Sequence, residues 1–146
     1  NSGTFVKEIK KIDGKIKDYQ NAAPLLVPFI ESGEHKSLAA KIMIKKYLKP
    51  LIKKGIDTLV LGCTHYGLLE KEIKNVVGRK IKIIVGGIVT ANKLKDYLIR
   101  HPEIKKDLKR NKKNIFYTTD MTNSFSVLGS EFFRKRIAVE KITLES

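Results

Sequence analysis

Three residues with chemically active side chains stand together at Cys63, Thr64 and His65. They follow the apolar run DTLVLG at 57–62, and an amphipathic stretch comes after them. The only cysteine of the chain lies two positions before a histidine, so its thiol has a titratable partner close enough to exchange a proton. This pattern predicts a thiol that acts as a nucleophile or as a base.

Other roles for Cys63 stay open from the residues alone. A lone cysteine after an apolar strand is most often a small buried hydrophobe. Against that role, the following helix is expected to begin near Tyr66 or Gly67 and to direct free N–H groups and its positive dipole end toward the turn, which stabilises a thiolate or a substrate carboxylate. Gly62 is expected to relieve crowding at the strand end. A zinc site is poorly supported, because one Cys and one His give two ligands where zinc normally takes three or four. A cysteine hydrolase would need an orienting Asn or Asp that the sequence does not single out.

Length and composition indicate one ordinary globular unit. The chain has 146 residues, and 42% of them are hydrophobic, which is enough for a core. A single cysteine excludes an internal disulfide framework and fits a reducing compartment, so the cytoplasm is the expected location. No apolar run approaches the length of a membrane helix, so no membrane partner is expected.

The net charge of +15 allows two interpretations. A nucleic-acid-binding module is the alternative to an enzyme, because basic patches bind phosphates. The favoured interpretation is a Lys-rich solvated surface without a nucleic-acid partner, since the lysines are spread along the chain among acidic residues. The densest cluster, KKDLKRNKKN at 105–114, contains no aromatic residue for base stacking.

The elements that must position the thiol alternate between helices and strands. Helical spacing predicts helices at 2–12, 35–55, 67–78, 88–101 and 122–135. Apolar or alternating runs predict strands at 15–23, 56–63, 80–87, 114–120 and 138–145. Two prolines and a glycine predict an irregular loop at 24–34, and Pro50 is expected to kink or divide its helix. The continuous apolar run at 56–63 is typical of a parallel strand covered on both faces. The fold class is therefore α/β with a mainly parallel sheet, whose ligands bind beyond the carboxyl ends of the strands.

The cysteine segment also resembles a known family. LVLGCTHYGLL at 59–69 is similar to the second cysteine motif of the cofactor-independent aspartate/glutamate racemases, and its Thr-His pair is the form typical of glutamate racemases. PLLVPFIESG at 24–33 resembles the upstream segment of that family that ends in a glutamate. NSGTF at 1–5 and FYTTD at 116–120 resemble two further segments in the expected order.

The resemblance implies a reaction and the residues that perform it. The family interconverts L- and D-glutamate for peptidoglycan synthesis with two cysteines, one on each face of the α-carbon, and without cofactor or metal. Cys63 matches the second cysteine, which is expected to deprotonate L-glutamate. His65 would be its acid/base partner, Glu31 would orient His65, and Thr64 would hold the substrate α-carboxylate with backbone N–H groups of the turn.

The resemblance further implies that the chain is the C-terminal half of the enzyme. Residues 1–86 are expected to form the second of two flavodoxin-like, three-layer half-domains, and residues 87–146 to return to an incomplete first one. The first cysteine lies in the N-terminal half, which would be the partner of this chain, so the isolated chain is expected to be inactive; a homodimer is left open. Gly67 replaces the usual proline of the motif, and Val85 stands where the family often has an aspartate.

Overall fold

Three helices precede the first strand, and from there strands are separated by helices, largely as the hydrophobic pattern predicts. The computed structural model describes residues 3–108 and 114–144. The α-helices and β-strands in these ranges are α1 (Thr4–Ile12), α2 (Leu26–Glu31), α3 (Leu38–Lys53), β1 (Thr58–Leu61), α4 (Glu70–Val77), β2 (Lys82–Val85), α5 (Gly86–Arg100), α6 (Pro102–Asp107), β3 (Phe116–Thr118), α7 (Asn123–Phe133) and β4 (Val139–Lys141). A 3₁₀ helix, Thr64–Leu69, connects β1 to α4.

The strands form two parallel pairs. β1 pairs with β2 in a register that runs from Thr58 opposite Lys82 to Leu61 opposite Val85. β3 pairs with β4 from Phe116 opposite Val139 to Thr118 opposite Lys141. Parallel neighbours need a crossover connection, which α4 supplies in the first pair and α7 in the second. The predicted α/β class with parallel strands is confirmed.

The core lies between the first helices and the first strand pair. Leu48 on α3, Leu59 and Leu61 on β1 and Ile73 on α4 are buried together with residues of α2. The largest side chains that are fully buried are Ile30, Ile44 and Leu69. This core fixes the end of β1, where the cysteine turn begins.

Two segments fold differently from the prediction. No strand forms at 15–23, because those residues are mostly exposed and their apolar alternation is weak. The segment at 24–34 contains α2 instead of an irregular loop. Pro28 is the third residue of α2, and the first helical N–H groups have no partner within the helix, so a proline there costs no hydrogen bond. Leu26 and Ile30 are buried on one side of this helix.

Division of the helix at Pro50 and burial of both faces of β1 are also wrong, whereas the kink that was the alternative at Pro50 stays a prediction. Pro50 does not divide its helix, since α3 runs unbroken to Lys53 with the proline inside its last turn. β1 is not covered on both faces: Leu59 and Leu61 are buried, whereas Val60 is 40% exposed. The apolar run is continuous, but in the described residues only one face of the strand packs against the core.

Within the part of the chain that the structure describes, no helix has the length and apolar character needed to cross a membrane. Part of the basic cluster at 105–114 lies outside the described residues.

Candidate active site

The candidate site begins at the carboxyl end of β1. Cys63 has an extended backbone, with φ −122° and ψ 138°, and it precedes the 3₁₀ helix. The Tyr66 N–H donates to the Cys63 carbonyl oxygen over 3.2 Å, which closes the turn. The predicted helix therefore begins earlier than expected, as a 3₁₀ turn from Thr64, and becomes α-helical only at Glu70.

The crowding that Gly62 was expected to relieve is not found in the described residues. The φ of Gly62 is outside the left-handed region, and an added Cβ would meet only the Phe5 ring at 3.8 Å, an ordinary contact. Neither crowding nor backbone geometry in the described residues requires a glycine at this position.

The structure brings three of the predicted site residues together. The Cys63 Sγ lies 3.8 Å from the Nδ1 of His65. The other ring nitrogen of His65, Nε2, lies 3.4 Å from Glu31 Oε1 at the end of α2. The imidazole is thus placed between the thiol and the carboxylate. Thr64, the fourth predicted residue, is exposed at the start of the 3₁₀ helix.

This arrangement determines what the imidazole can do. A carboxylate is an acceptor, so Glu31 favours the tautomer that carries the hydrogen on Nε2. Nδ1 of His65 then has a free lone pair directed to the Cys63 thiol and can accept its proton. A base oriented by a third group is the arrangement that activates a thiol in many enzymes. The side chains of His65 and Glu31 are 31% and 54% exposed, so the site is open to a ligand.

Tyr66 ties the cysteine turn to the segment before α2. Its hydroxyl donates to the Ala23 carbonyl oxygen over 2.9 Å. Burial raises the pKa of Tyr66 above its usual value, and negative charge on Cys63 and Tyr47 raises it further. The phenol is therefore held neutral beside the thiol.

Helix α7 forms a second wall of the site. A cavity of about 370 Å³ lies between Glu31 and His65 on one side and residues 122–132 on the other. The Phe132 ring contacts the His65 ring nearly at right angles, with 5.9 Å between centroids. The hydroxyls of Thr122 and Ser124, which also line the cavity, lie 3.1 Å apart.

The α7 wall was missed by reasoning from the sequence. The segment 122–135 was predicted only as a helix, and no spacing rule connects Phe132 to a histidine that lies so far away along the chain. Across residues 3–108 and 114–144, no group of three or more His, Cys, Asp or Glu comes together that could hold a metal ion.

The fold and the site together define the class of protein. It is a parallel α/β domain with a thiol at the carboxyl end of a strand. An imidazole lies between this thiol and a carboxylate from the end of α2. The comparisons with known proteins make this specific, although no family model matches the chain.

Glutamate racemases are similar to this chain in sequence and in structure. The enzyme from Thermoanaerobacter sp. (strain X514) is 41% identical over 122 residues, which are 84% of this chain and 46% of the relative. The enzyme from Carnobacterium sp. (strain St2) is 37% identical over 149 residues, covering 98% of this chain and 54% of the relative. The crystal structure of a Bacillus anthracis glutamate racemase isoform matches with a TM-score of 0.82 at 32% identity, over 98% of this chain and 53% of that one. The Francisella tularensis glutamate racemase, solved in complex with D-glutamate, matches with a TM-score of 0.83 at 28% identity, over 99% and 54%.

The chain is a homologue of the glutamate racemases, and it spans about half the length of the curated relatives it matches. The chain corresponds to the C-terminal half of these enzymes, as the resemblance of its cysteine motif implied. The comparisons give no support to the alternative of a nucleic-acid-binding module.

Proposed function

We propose that this chain provides one half of the active site of a glutamate racemase. The observation that carries the proposal is the line of contacts from Cys63 through His65 to Glu31, with 3.8 Å and 3.4 Å between the contacting atoms. The relatives named above are all glutamate racemases, and the structural neighbour solved with D-glutamate supports glutamate as the substrate.

The proposed reaction starts with the transfer of the Cys63 proton to Nδ1 of His65. The resulting thiolate then removes the α-proton of L-glutamate, which leaves a carbanion at the α-carbon and restores the thiol at Cys63. A base that is fixed beside a weakly acidic C–H gains from its position as well as from its basicity. Thr64 and the N–H groups at the start of the 3₁₀ helix would hold the α-carboxylate, as anions bind at helix starts.

Glu31 has two functions in this scheme. It keeps the hydrogen of neutral His65 on Nε2, so that Nδ1 can accept from the thiol. Once His65 has accepted that proton, the carboxylate stabilises the imidazolium, as the acid of a catalytic triad does. Loss of the Glu31 charge should therefore slow formation of the thiolate without removing the thiol.

Reprotonation on the opposite face of the carbanion requires a second acid. The chain has a single cysteine, so we propose that the second thiol comes from another half-domain. In this scheme residues 1–86 form the second half-domain, and residues 87–146 return to the first. Exposed apolar residues beyond that boundary support such a partner: Ile88, Leu94 and Ile99 are 53%, 57% and 59% exposed.

The same proposal covers the cellular role. The complete enzyme would act in the cytoplasm, and the D-glutamate that it makes would supply peptidoglycan synthesis. A homodimer of the complete enzyme is compatible with this scheme.

Deuterium exchange tests the proposal. The chain is incubated with L- or D-glutamate in heavy water, and deuterium at the α-carbon and optical inversion are measured separately. We expect slow exchange of L-glutamate with little inversion, because one thiol can return a proton only to the face from which it was removed. Cys63→Ser should abolish the exchange.

Two outcomes would contradict the proposal. Full racemisation by this chain alone would refute the need for a second cysteine. Exchange of equal rate in wild type and Cys63→Ser would show that Cys63 is not the base.

A further inference from the structure

A buried histidine outside the proposed reaction makes an isolated contact with α7. His35 lies between α2 and α3 and is only 2% exposed. Its Nε2 lies 3.2 Å from Oε1 of Glu131 on α7. Its Nδ1 is buried and has no hydrogen-bond partner within the described residues. Among residues 3–108 and 114–144 the ring therefore makes one polar contact, and that contact is with α7.

Packing alone does not explain an imidazole at this position. A buried polar atom without a partner is unfavourable, and an apolar side chain of similar size would avoid it. The contact with Glu131 is what an apolar side chain could not supply. Because a carboxylate accepts, this contact favours a hydrogen on Nε2, and it connects one edge of the ring to α7.

Glu131 stands directly before Phe132, the residue that contacts the His65 ring. A shift of α7 at Glu131 therefore moves the aromatic neighbour of His65 and one wall of the cavity that Glu31 and His65 line. Glu131 has a second neighbour, the Nζ of Lys36 at 3.6 Å, whose side chain is 71% exposed. Exposed ion pairs contribute little to stability, so His35 is the partner that matters.

We propose that His35 is a positioning residue for His65. Its contact with Glu131 holds α7 in the place where Phe132 contacts the His65 ring. The geometric claim stands on the contacts above, and its consequence for proton transfer rests on the proposed function. The orientation of the His65 ring then depends on Glu31 at one edge and on α7 at its side.

Four variants separate positioning from stability. His35→Leu fills the space without the polar contact, and His35→Gln retains a nitrogen donor near the position of Nε2. Glu131→Gln removes the charge on α7 at a position where the side chain is 31% exposed. Lys36→Gln is the matched control, because it removes the exposed partner of the same carboxylate. Each variant is measured for melting temperature, for the ring resonances of His65 by NMR, and for α-deuteration of L-glutamate.

We expect the His65 resonances to move in His35→Leu and in Glu131→Gln and to stay at the wild-type position in Lys36→Gln. His35→Gln should return them toward the wild-type position. Deuteration should fall by about ten- to a hundredfold in the first two variants, the size of loss that small misplacements of reacting groups cause.

A lower melting temperature in His35→Leu with unchanged His65 resonances would overturn the proposal, because His35 would then act on stability alone. If His35→Leu does not fold, Glu131→Gln decides the same question. If even the wild type shows no deuteration, the proposed function fails, whereas the resonances of His65 still test the positioning.

Discussion

Substitution of Tyr66 by phenylalanine tests how the cysteine turn is held. The change removes a hydroxyl that donates to the Ala23 carbonyl oxygen over 2.9 Å in a partly buried position. A hydrogen bond of this kind contributes about 0.5–1.5 kcal/mol to the free energy of unfolding. For a chain of this size, about 1 kcal/mol corresponds to roughly 2–4 °C. Tyr66→Phe should therefore lower the melting temperature by roughly 1–6 °C at neutral pH.

The same substitution should also change how stability depends on pH. The pKa of Tyr66 is raised in the folded chain by burial first, then by Cys63 and Tyr47. A group whose pKa is raised on folding contributes stability below its unfolded pKa, which is near 10.0 for tyrosine, and this contribution is lost as the pH rises through the folded pKa. The wild type should thus lose stability above that pH more steeply than Tyr66→Phe. The difference between the two proteins should shrink there.

Urea unfolding at a series of pH values measures both effects. Tyr117→Phe is the matched control, because Tyr117 is 50% exposed and makes no comparable bond in the described residues. Its curve should follow the wild type. A stability difference for Tyr66→Phe that stays constant from neutral to alkaline pH would refute the reasoning about burial of the phenol. A difference no larger than that of Tyr117→Phe would refute the hydrogen bond itself.

Two further predictions concern α3, which packs in the core against β1. Ile44→Ala should lower the free energy of unfolding by about 2–5 kcal/mol, because Ile44 is fully buried and truncation leaves a cavity. The control is Ile42→Ala, at a position on the same helix that is 55% exposed. It should change the free energy of unfolding by less than about 0.5 kcal/mol. Equal effects of the two in urea unfolding would contradict the core assignment. Ser37→Ala should cost about 1 kcal/mol, because the Ser37 Oγ accepts from the Ala40 N–H at the start of the helix. Ser37→Asp should retain the cap, and circular dichroism during thermal unfolding of both variants checks this.

The pairing of Cys63 with His65 could be predicted because the two residues are close in sequence. Cys63 and His65 are two residues apart, so both had to lie in the turn after β1, but only the extended backbone at Cys63 followed by the 3₁₀ turn brings their side chains into contact. Glu31 could be assigned only through the resemblance, since nothing in its own surroundings marks it. The two prolines of its segment predicted an irregular loop, but the segment contains a short helix with Pro28 as its third residue, a position that tolerates proline.

What the sequence could not show are contacts made between distant segments. The patterning of α7 predicts a helix, but not that Phe132 meets His65 or that Glu131 meets His35. Hydrophobic periodicity determines which residues of an element face inward, and it does not determine which element they face. The exposed side of β1 illustrates the same limit, because an apolar run shows the capacity for burial and not the presence of a covering layer.

The predicted boundary near residue 86 divides the chain in sequence, yet the site uses both sides of it. The thiol, the imidazole and the carboxylate come from residues 31–65. The wall that faces them comes from α7, which also packs Leu128 against the core of the first part. In the proposed scheme α7 belongs to the segment that returns to the other half-domain. In that scheme α7 would contact both half-domains and would transmit the docking of the other half to His65 through Phe132. The contact between His35 and Glu131 would then bear on catalysis although it lies far from Cys63 along the chain.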